Sequence, residues 1–155
     1  MNNMEIRAAK IEDLDSLKLF EQEVIAYERP FAPNLKNDPI QYYDLVDLIE
    51  REDARIIVAT IDEEIIGSGY ALIKNSEPHK KHKQYAYLGF MYVFPKFRGK
   101  GINGKIIDNL INWAKERNLT EIQLDVYANN ESAVNAYKKR SFKPDLLKMR
   151  FNIEE

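Results

Sequence analysis

A mixed α/β (α+β) fold, one sheet with helices packed against it, is what this 155-residue sequence predicts. Three observations carry that reading. Residues 55–61 and 65–74 are β-branched-rich runs around a polar turn, which is a hairpin signal. Two stretches, beginning at Ile11 and Ile102, space their apolar residues three and four apart, as on one helix face. After residue 85 a strand, a glycine loop, a helix and a second strand follow one another as a βαβ unit.

Taken in order, a short strand at 5–9 precedes Ile11, Leu14, Leu17, Phe20 and Val24, a helical stripe that should stop before Pro30. A second helix is expected from Asp38-Pro39, an N-cap followed by proline at the first helical position, to about Arg51. The hairpin turns at Asp62-Glu63-Glu64, and a polar connection through Pro78 leads to a strand at 85–93. Ile102, Ile106, Ile107, Leu110, Ile111 and Ala114 form the stripe of the helix after the glycines, with Trp113 as packing. A strand at 121–126, a short helix at 132–140 and a terminal strand at 147–153 complete the reading. No repeat, low-complexity stretch or Gly/Ser linker divides residues 1–155, so a single domain is expected.

Cysteine is absent, which excludes a thiol nucleophile, a disulfide framework and an iron–sulfur cluster. Residues 1–10 carry no apolar signal-peptide core, and no run approaches the ~18 apolar residues of a membrane span, so a cytoplasmic chain without membrane partners is expected. The net charge of −2 conceals two opposed segments. Residues 11–53 hold twelve acids against four bases, whereas residues 79–105 hold seven Lys and Arg and no acid. An isoelectric point near 5.8 argues against nucleic acid as partner, and the compact basic segment suits a polyphosphate. His79 and His82, three apart in a lysine-rich loop, make a poor metal site, and no metal is expected.

Three of the six glycines, Gly99, Gly101 and Gly104, fall within six residues, between Arg98 and Lys105. As G-x-G-x-x-G they match a dinucleotide fingerprint, with Asp125 as the ribose-binding acid. Yet 94–98 intervenes between strand and glycines, and about fifty residues follow, too few for the second half of a doubly wound fold. As G-x-x-x-x-G-K-[ST] the run fails at Ile106, which offers no hydroxyl to magnesium. The third pattern, Arg-x-x-Gly-x-(Gly/Ala), shares the physics of both: backbone N–H groups at a helix N-terminus point at phosphate oxygens.

That pattern, in the context Tyr92-Val93-Phe94-Pro95-Lys96-Phe97-Arg98-Gly99-Lys100-Gly101-Ile102, resembles the pyrophosphate loop of the GNAT superfamily of N-acetyltransferases. Asn130-Glu131-Ser132-Ala133-Val134-Asn135-Ala136-Tyr137 and Phe142 resemble its second signature, N-x-x-A-x-x-x-Y-x-x-x-x-F, and the resemblance runs from about residue 4 to residue 151. Two positions depart from the pattern. Asn103 stands in the last small position of the first motif, where Gly104 supplies the room, and Ser141 precedes Phe142 where glycine is more usual.

The resemblance implies a central, mostly antiparallel sheet with a splayed parallel strand pair flanked by helices, and acetyl-CoA as cosubstrate bound at the splay. It implies main-chain contacts to the pantetheine arm near Met91 and Val93, and a pyrophosphate cradle of Arg98, Gly99, Lys100, Gly101, Asn103 and Gly104. Asn130 is implied as a contact to the cofactor arm, or as a helix N-cap. Tyr137 is implied as cofactor contact and as the catalytic acid that protonates the departing thiolate. The acceptor is a primary amine of a small molecule or protein that attacks the thioester directly. Residues 85–93 carry no carboxylate where some relatives place a glutamate, and Tyr87 holds roughly that place, so water, Asp125, Tyr87 and the first helices stay open as proton acceptors. A non-catalytic acyl-CoA-binding module is the alternative, and a homodimer is left open.

The −8 segment is where the resemblance puts the acceptor. Glu23, Tyr27, Glu28, Phe31 and Tyr87 are the candidate substrate contacts, with Tyr42 and Tyr43 nearby. Acids beside aromatic rings attract a protonated amine by charge and by cation–π contact. Solvated helix faces and core aromatics are the bland reading of the same residues.

Overall fold

The computed structural model describes residues 3–155; Met1 and Asn2 lie outside it. Two units separate at Asp125 and Val126. In the first, strand β1 (Met4–Ala8), helix α1 (Leu14–Glu28), helix α2 (Leu45–Glu50), strands β2 (Ala54–Ile61), β3 (Glu64–Asn75) and β4 (Gln84–Val93), helix α3 (Ile102–Glu116) and strand β5 (Ile122–Leu124) follow one another. The five strands lie in sequence order in one sheet, antiparallel from β1 to β4 and parallel between β4 and β5. The β2–β3 turn uses Asp62 and Glu63, both at positive φ, the twist that a two-residue hairpin needs.

One sheet face is covered by α1 and α2, with Leu17, Phe20, Leu45 and Leu48 against Ile56, Val58, Tyr70, Phe90 and Tyr92. Helix α3 lies on the other, where Ile106, Ile107 and Leu110 are fully buried. Arg7 and Asp13 tie β1 to the start of α1: both guanidinium Nη atoms donate to the carboxylate, at 2.7 and 3.0 Å, and the Lys10 N–H adds a third bond at 2.8 Å. The Arg7 guanidinium holds the Asp13 carboxyl below the ordinary carboxylate range. A group whose folded pKa is depressed stabilises above its unfolded value and loses that contribution as pH falls through the folded one. Asp13→Asn should therefore cost about 1.5–3 kcal/mol at neutral pH, and the gap between the two unfolding curves should close in acid.

The second helix differs from expectation. Residues 38–44 are not helical, and α2 begins at Leu45 with Asp44 as its cap, Oδ1 accepting the Asp47 N–H at 3.1 Å. Helix α1 holds the extended stretch: the buried Glu21 carboxylate accepts the N–H groups of Tyr42 and Tyr43, each at 2.8 Å, and Gln22 donates to the Ile40 carbonyl. Arg29 pairs with Asp38 at 2.6 Å. Backbone groups bound to α1 side chains are not available to a helical ladder, and Tyr42 and Tyr43 precede α2 rather than lying on it.

In the second unit, helix α4 (Glu131–Lys139) is capped by Asn130, whose Oδ1 accepts the Ala133 N–H at 3.3 Å. It closes with the Phe142 N–H on the Tyr137 carbonyl, and Ser141 between them has φ +73°. Helix α3 ends the same way, with Asn118 at φ +61° and the Leu119 N–H on the Ala114 carbonyl. This ending favours a left-handed residue, usually glycine, which accounts for the family preference before the phenylalanine. Ser141→Gly should stabilise the protein by about 1 kcal/mol, read as a raised unfolding midpoint. Residues 147–153 do not form the expected strand. Their apolar residues do alternate, but alternation makes a strand only when another strand pairs with it, and the described residues of this unit hold none.

Candidate active site

The site begins with a bulge in β4. Tyr70 of β3 sits opposite Gly89, whereas Ser68 sits opposite Tyr92, so β4 carries one residue more than its partner. Phe90 takes φ +56° at this point, and the Ser68 hydroxyl, completely buried, donates to the Phe90 carbonyl at 3.0 Å. A bulge bends its strand and raises the local twist. Parallel pairing with β5 covers only Ala86, Leu88 and the residue between them, while β4 runs on to Val93. From Gly89 onward, the β5-facing edge of β4 has no strand bonded to it among the described residues.

That open edge leads through Phe94 and a single 3-10 turn at Pro95–Phe97 into the glycine loop. Gly99 and Gly101 have φ +79° and +78°, with open space where a Cβ would project, so torsion rather than crowding selects glycine. Gly101 is the N-cap of α3, and the first turn of that helix contains no acid. Its unbonded N–H groups and dipole favour an anion. The Arg98 Nε donates to the Val93 carbonyl at 2.8 Å, tying the loop to the strand end. Lys96 and Lys100 lie over the Phe97 ring at 5.1 and 5.6 Å. Asn103 and Gly104 are the second and third residues of α3.

On the α1 and α2 side, tyrosines gather about the place where β4 and β5 part. Tyr43 contacts Tyr42, Tyr70 and Phe90 at ring-centroid distances of 5.7, 5.5 and 5.0 Å, and Tyr70 meets Tyr87 edge-on at 6.4 Å. The Tyr70 ring lies over Gly89, where a Cβ would overlap it. Tyr87 donates to Asp125 Oδ2 at 3.0 Å, and Lys74 Nζ lies 4.0 Å from the centre of its ring. Burial pushes the Tyr43 and Tyr87 phenols well above their ordinary range, and the Asp125 charge adds to the effect at Tyr87. Glu28, at the last turn of α1, is pushed up by burial and pulled back by the Tyr42 hydroxyl.

The Glu28 charge acts on both Tyr43 and Tyr87 and raises their phenols further, so Glu28 belongs with the tyrosine cluster that includes Tyr42 and Tyr70, and Asp125 joins it through Tyr87. Glu23 is exposed on α1, where its charge acts on Tyr92 instead. Tyr27 and Phe31 contact each other at 5.8 Å, and Tyr27 is 52% exposed. Met91 sits beside Gly69 on the α3 face, and Val93 ends β4. Asn130 and Tyr137 belong to the second unit, Asn130 as the α4 cap and Tyr137 edge-on to Phe142 at 5.8 Å. His79 and His82 face Glu77 and Glu121, at 3.6 and 3.7 Å. Three residues of this region were not legible as such: Glu21, which looks like one more acid on a solvated helix; Ser68; and Tyr70, whose signal is the Gly67-Ser68-Gly69 run before it, a mark of close approach in a strand.

The model of the acetyltransferase (GNAT) family matches residues 19–142, from within the first helix through the loop and the second signature. The chain belongs to the GNAT acetyltransferase family. Its relatives include an uncharacterized N-acetyltransferase of Archaeoglobus fulgidus, 29% identical over 140 residues, covering 90% of this chain and 93% of that protein. An N-alpha-acetyltransferase of Sulfurisphaera tokodaii is 27% identical over 146 residues, covering 89% and 79%. The fold is shared with a predicted acetyltransferase of Clostridium acetobutylicum solved with acetyl-CoA, at TM-score 0.76 and 22% identity over 97% of each chain. It is also shared with the BH1408 protein of Bacillus halodurans, at TM-score 0.85 and 19% identity over 96% of this chain and 99% of that one. The GNAT sheet, antiparallel with a parallel β4–β5 pair and helices on both faces, is the architecture the resemblance implied. Among the described residues no helix is long and apolar enough to cross a membrane.

Proposed function

We propose that this GNAT chain transfers the acetyl group of acetyl-CoA directly to a primary amine of a small molecule or protein, in the cytoplasm. The observation that carries the reading is the pair of left-handed glycines opening α3 just beyond the unpaired edge of β4. The loop N–H groups, with Arg98 and Lys100, suit the pyrophosphate of CoA. The β4 edge near Met91 and Val93 suits the amide groups of its pantetheine arm, which would lie along it as an added strand. Asn130, which caps α4, is carried over from the resemblance as a contact to the cofactor arm.

The amine nitrogen attacks the thioester carbon, and charge develops on the carbonyl oxygen, where a β4 main-chain N–H stabilises it. Collapse breaks the C–S bond, and Tyr137 protonates the thiolate. On the acceptor side, Glu28 and the Tyr43, Tyr70 and Tyr87 rings suit an ammonium group, with Glu23, Tyr27 and Phe31 further out. Glu28→Gln should raise the KM for the amine about tenfold or more, with little change for acetyl-CoA, because a bond to a charged group is worth about 1.5–3 kcal/mol. The Sulfurisphaera relative is named an N-alpha-acetyltransferase, so peptide N-termini belong among the acceptors tried.

The test combines ligand-induced thermal shift with thiol release. Acetyl-CoA should raise the unfolding midpoint where NAD and ATP do not. Free thiol should appear with acetyl-CoA and at least one of spermidine, an aminoglycoside and a short peptide with a free N-terminus. A shift with acetyl-CoA and no thiol from any amine would favour the acyl-CoA-binding module. No shift would overturn the reading.

A further inference from the structure

Strand β4 carries no carboxylate between Gln84 and Val93, so a carboxylate that takes the amine proton comes from a neighbouring element. Asp125 is the first residue past Leu124, where the parallel β4–β5 pairing ends, and its Oδ2 accepts the Tyr87 hydroxyl at 3.0 Å. We infer that Asp125 takes the proton from the attacking amine and that Tyr87 positions its carboxylate, an assignment that rests on the acetyltransferase reading above.

Geometry gives each partner one role. Tyr87 is fixed on β4, with Tyr70 edge-on to its ring and Lys74 over its face. Burial, reinforced by the Asp125 charge, keeps the Tyr87 phenol protonated, so it donates and the carboxylate accepts. Asp125 is exposed, so an acceptor amine can reach it, whereas Glu28 on the α1 side is partly withdrawn from solvent. An acceptor bound as ammonium first releases one proton to solvent, which frees the nitrogen lone pair, and the proton passed to Asp125 is the second one that nitrogen must lose. As the nitrogen lone pair forms the C–N bond and the carbonyl π electrons move to oxygen, nitrogen becomes acidic and its N–H proton goes to the Asp125 carboxylate. The oxygen pair then re-forms the carbonyl, the C–S bond breaks, and the thiolate takes its proton from Tyr137. Solvent returns a proton from Asp125 to Tyr137, and the sum is amide plus free CoA thiol.

The experiment is a double-mutant cycle on the full chain, read as kcat and KM for acetyl-CoA and for whichever of the three amines above turns over. Asp125→Asn should lower kcat about a hundredfold, and Asp125→Glu should restore about a tenth or more of the wild-type rate, because a positioned general base contributes on the order of 10²–10⁴. Tyr87→Phe should lower kcat about tenfold in the wild type but less than about twofold in Asp125→Asn, since a residue acting through another has nothing left to act on. KM for acetyl-CoA and the unfolding midpoint should stay near wild type. Asp125→Asn that keeps a third of kcat, or Tyr87→Phe that costs the same factor in both backgrounds, would overturn the assignment and leave the acetyltransferase reading standing. Wild-type protein that releases no thiol with any of the amines would overturn both.

Discussion

Gly101→Val should weaken acetyl-CoA binding by about ten- to a hundredfold. The residue sits at φ +78° and ψ 9° as the cap of α3, with no atom near the place where a side chain would project. The penalty is therefore torsional. A left-handed conformation costs an L-residue about 1–2 kcal/mol, and a β-branched one adopts it least readily. The chain can relieve the strain by returning to negative φ, which swings the N–H groups at the head of α3 away from the proposed pyrophosphate position. One lost bond to a charged phosphate oxygen, at about 1.5–3 kcal/mol, corresponds to the stated range. Titration calorimetry with CoA checks it. Gly101→Asn is the control: asparagine tolerates this region, so its loss should be several-fold smaller. Valine binding CoA as tightly as glycine would show that the loop is not the anion cradle.

Tyr137→Phe should lower kcat about a hundredfold while the Kd for acetyl-CoA moves by less than about threefold. Phenylalanine preserves the ring that Tyr137 sets edge-on to Phe142 in α4, so packing of this helix end is retained and only the hydroxyl is lost. A thiolate departing from the tetrahedral intermediate gains most from a proton donor in the transition state, which the Tyr137 hydroxyl would supply. Steady-state kinetics with a fixed amine and varied acetyl-CoA separates the two constants. A variant with wild-type kcat would place the acid elsewhere.

The strands and α3 were legible because their patterns are local: apolar runs, a stripe at helical spacing, and glycines where only glycine is comfortable. The start of α2 was not. Asp38 and Asp44 are both plausible caps, and what decides between them is Glu21 and Gln22, 18 to 22 residues away in sequence, binding the backbone of 40–43. The bulge was hidden for a different reason. Phe90, Met91 and Tyr92 are all large and apolar, so a strand covered on both faces shows no alternation from which a change of side could be read. In the site, the glycine loop and Tyr87 could be placed from motif and strand position. The pairing of Tyr87 with Asp125 depends on how two strands 38 residues apart lie side by side, which no single segment encodes.

The extra residue at Phe90 works as a parity switch. Tyr87 and Gly89 share the α1 side of the sheet by ordinary alternation, yet Phe90 and Tyr92 also lie on that side, and Met91 is turned toward α3. Removing one residue there would exchange the two sides for everything that follows in the strand. Tyr92 would turn toward α3 and Met91 toward Phe20, and the strand would regain the straightness that keeps it beside β5. A substitution at Phe90 can be repacked; a deletion reverses the wiring. Residue count, more than side-chain identity, is what this stretch of the chain cannot give up.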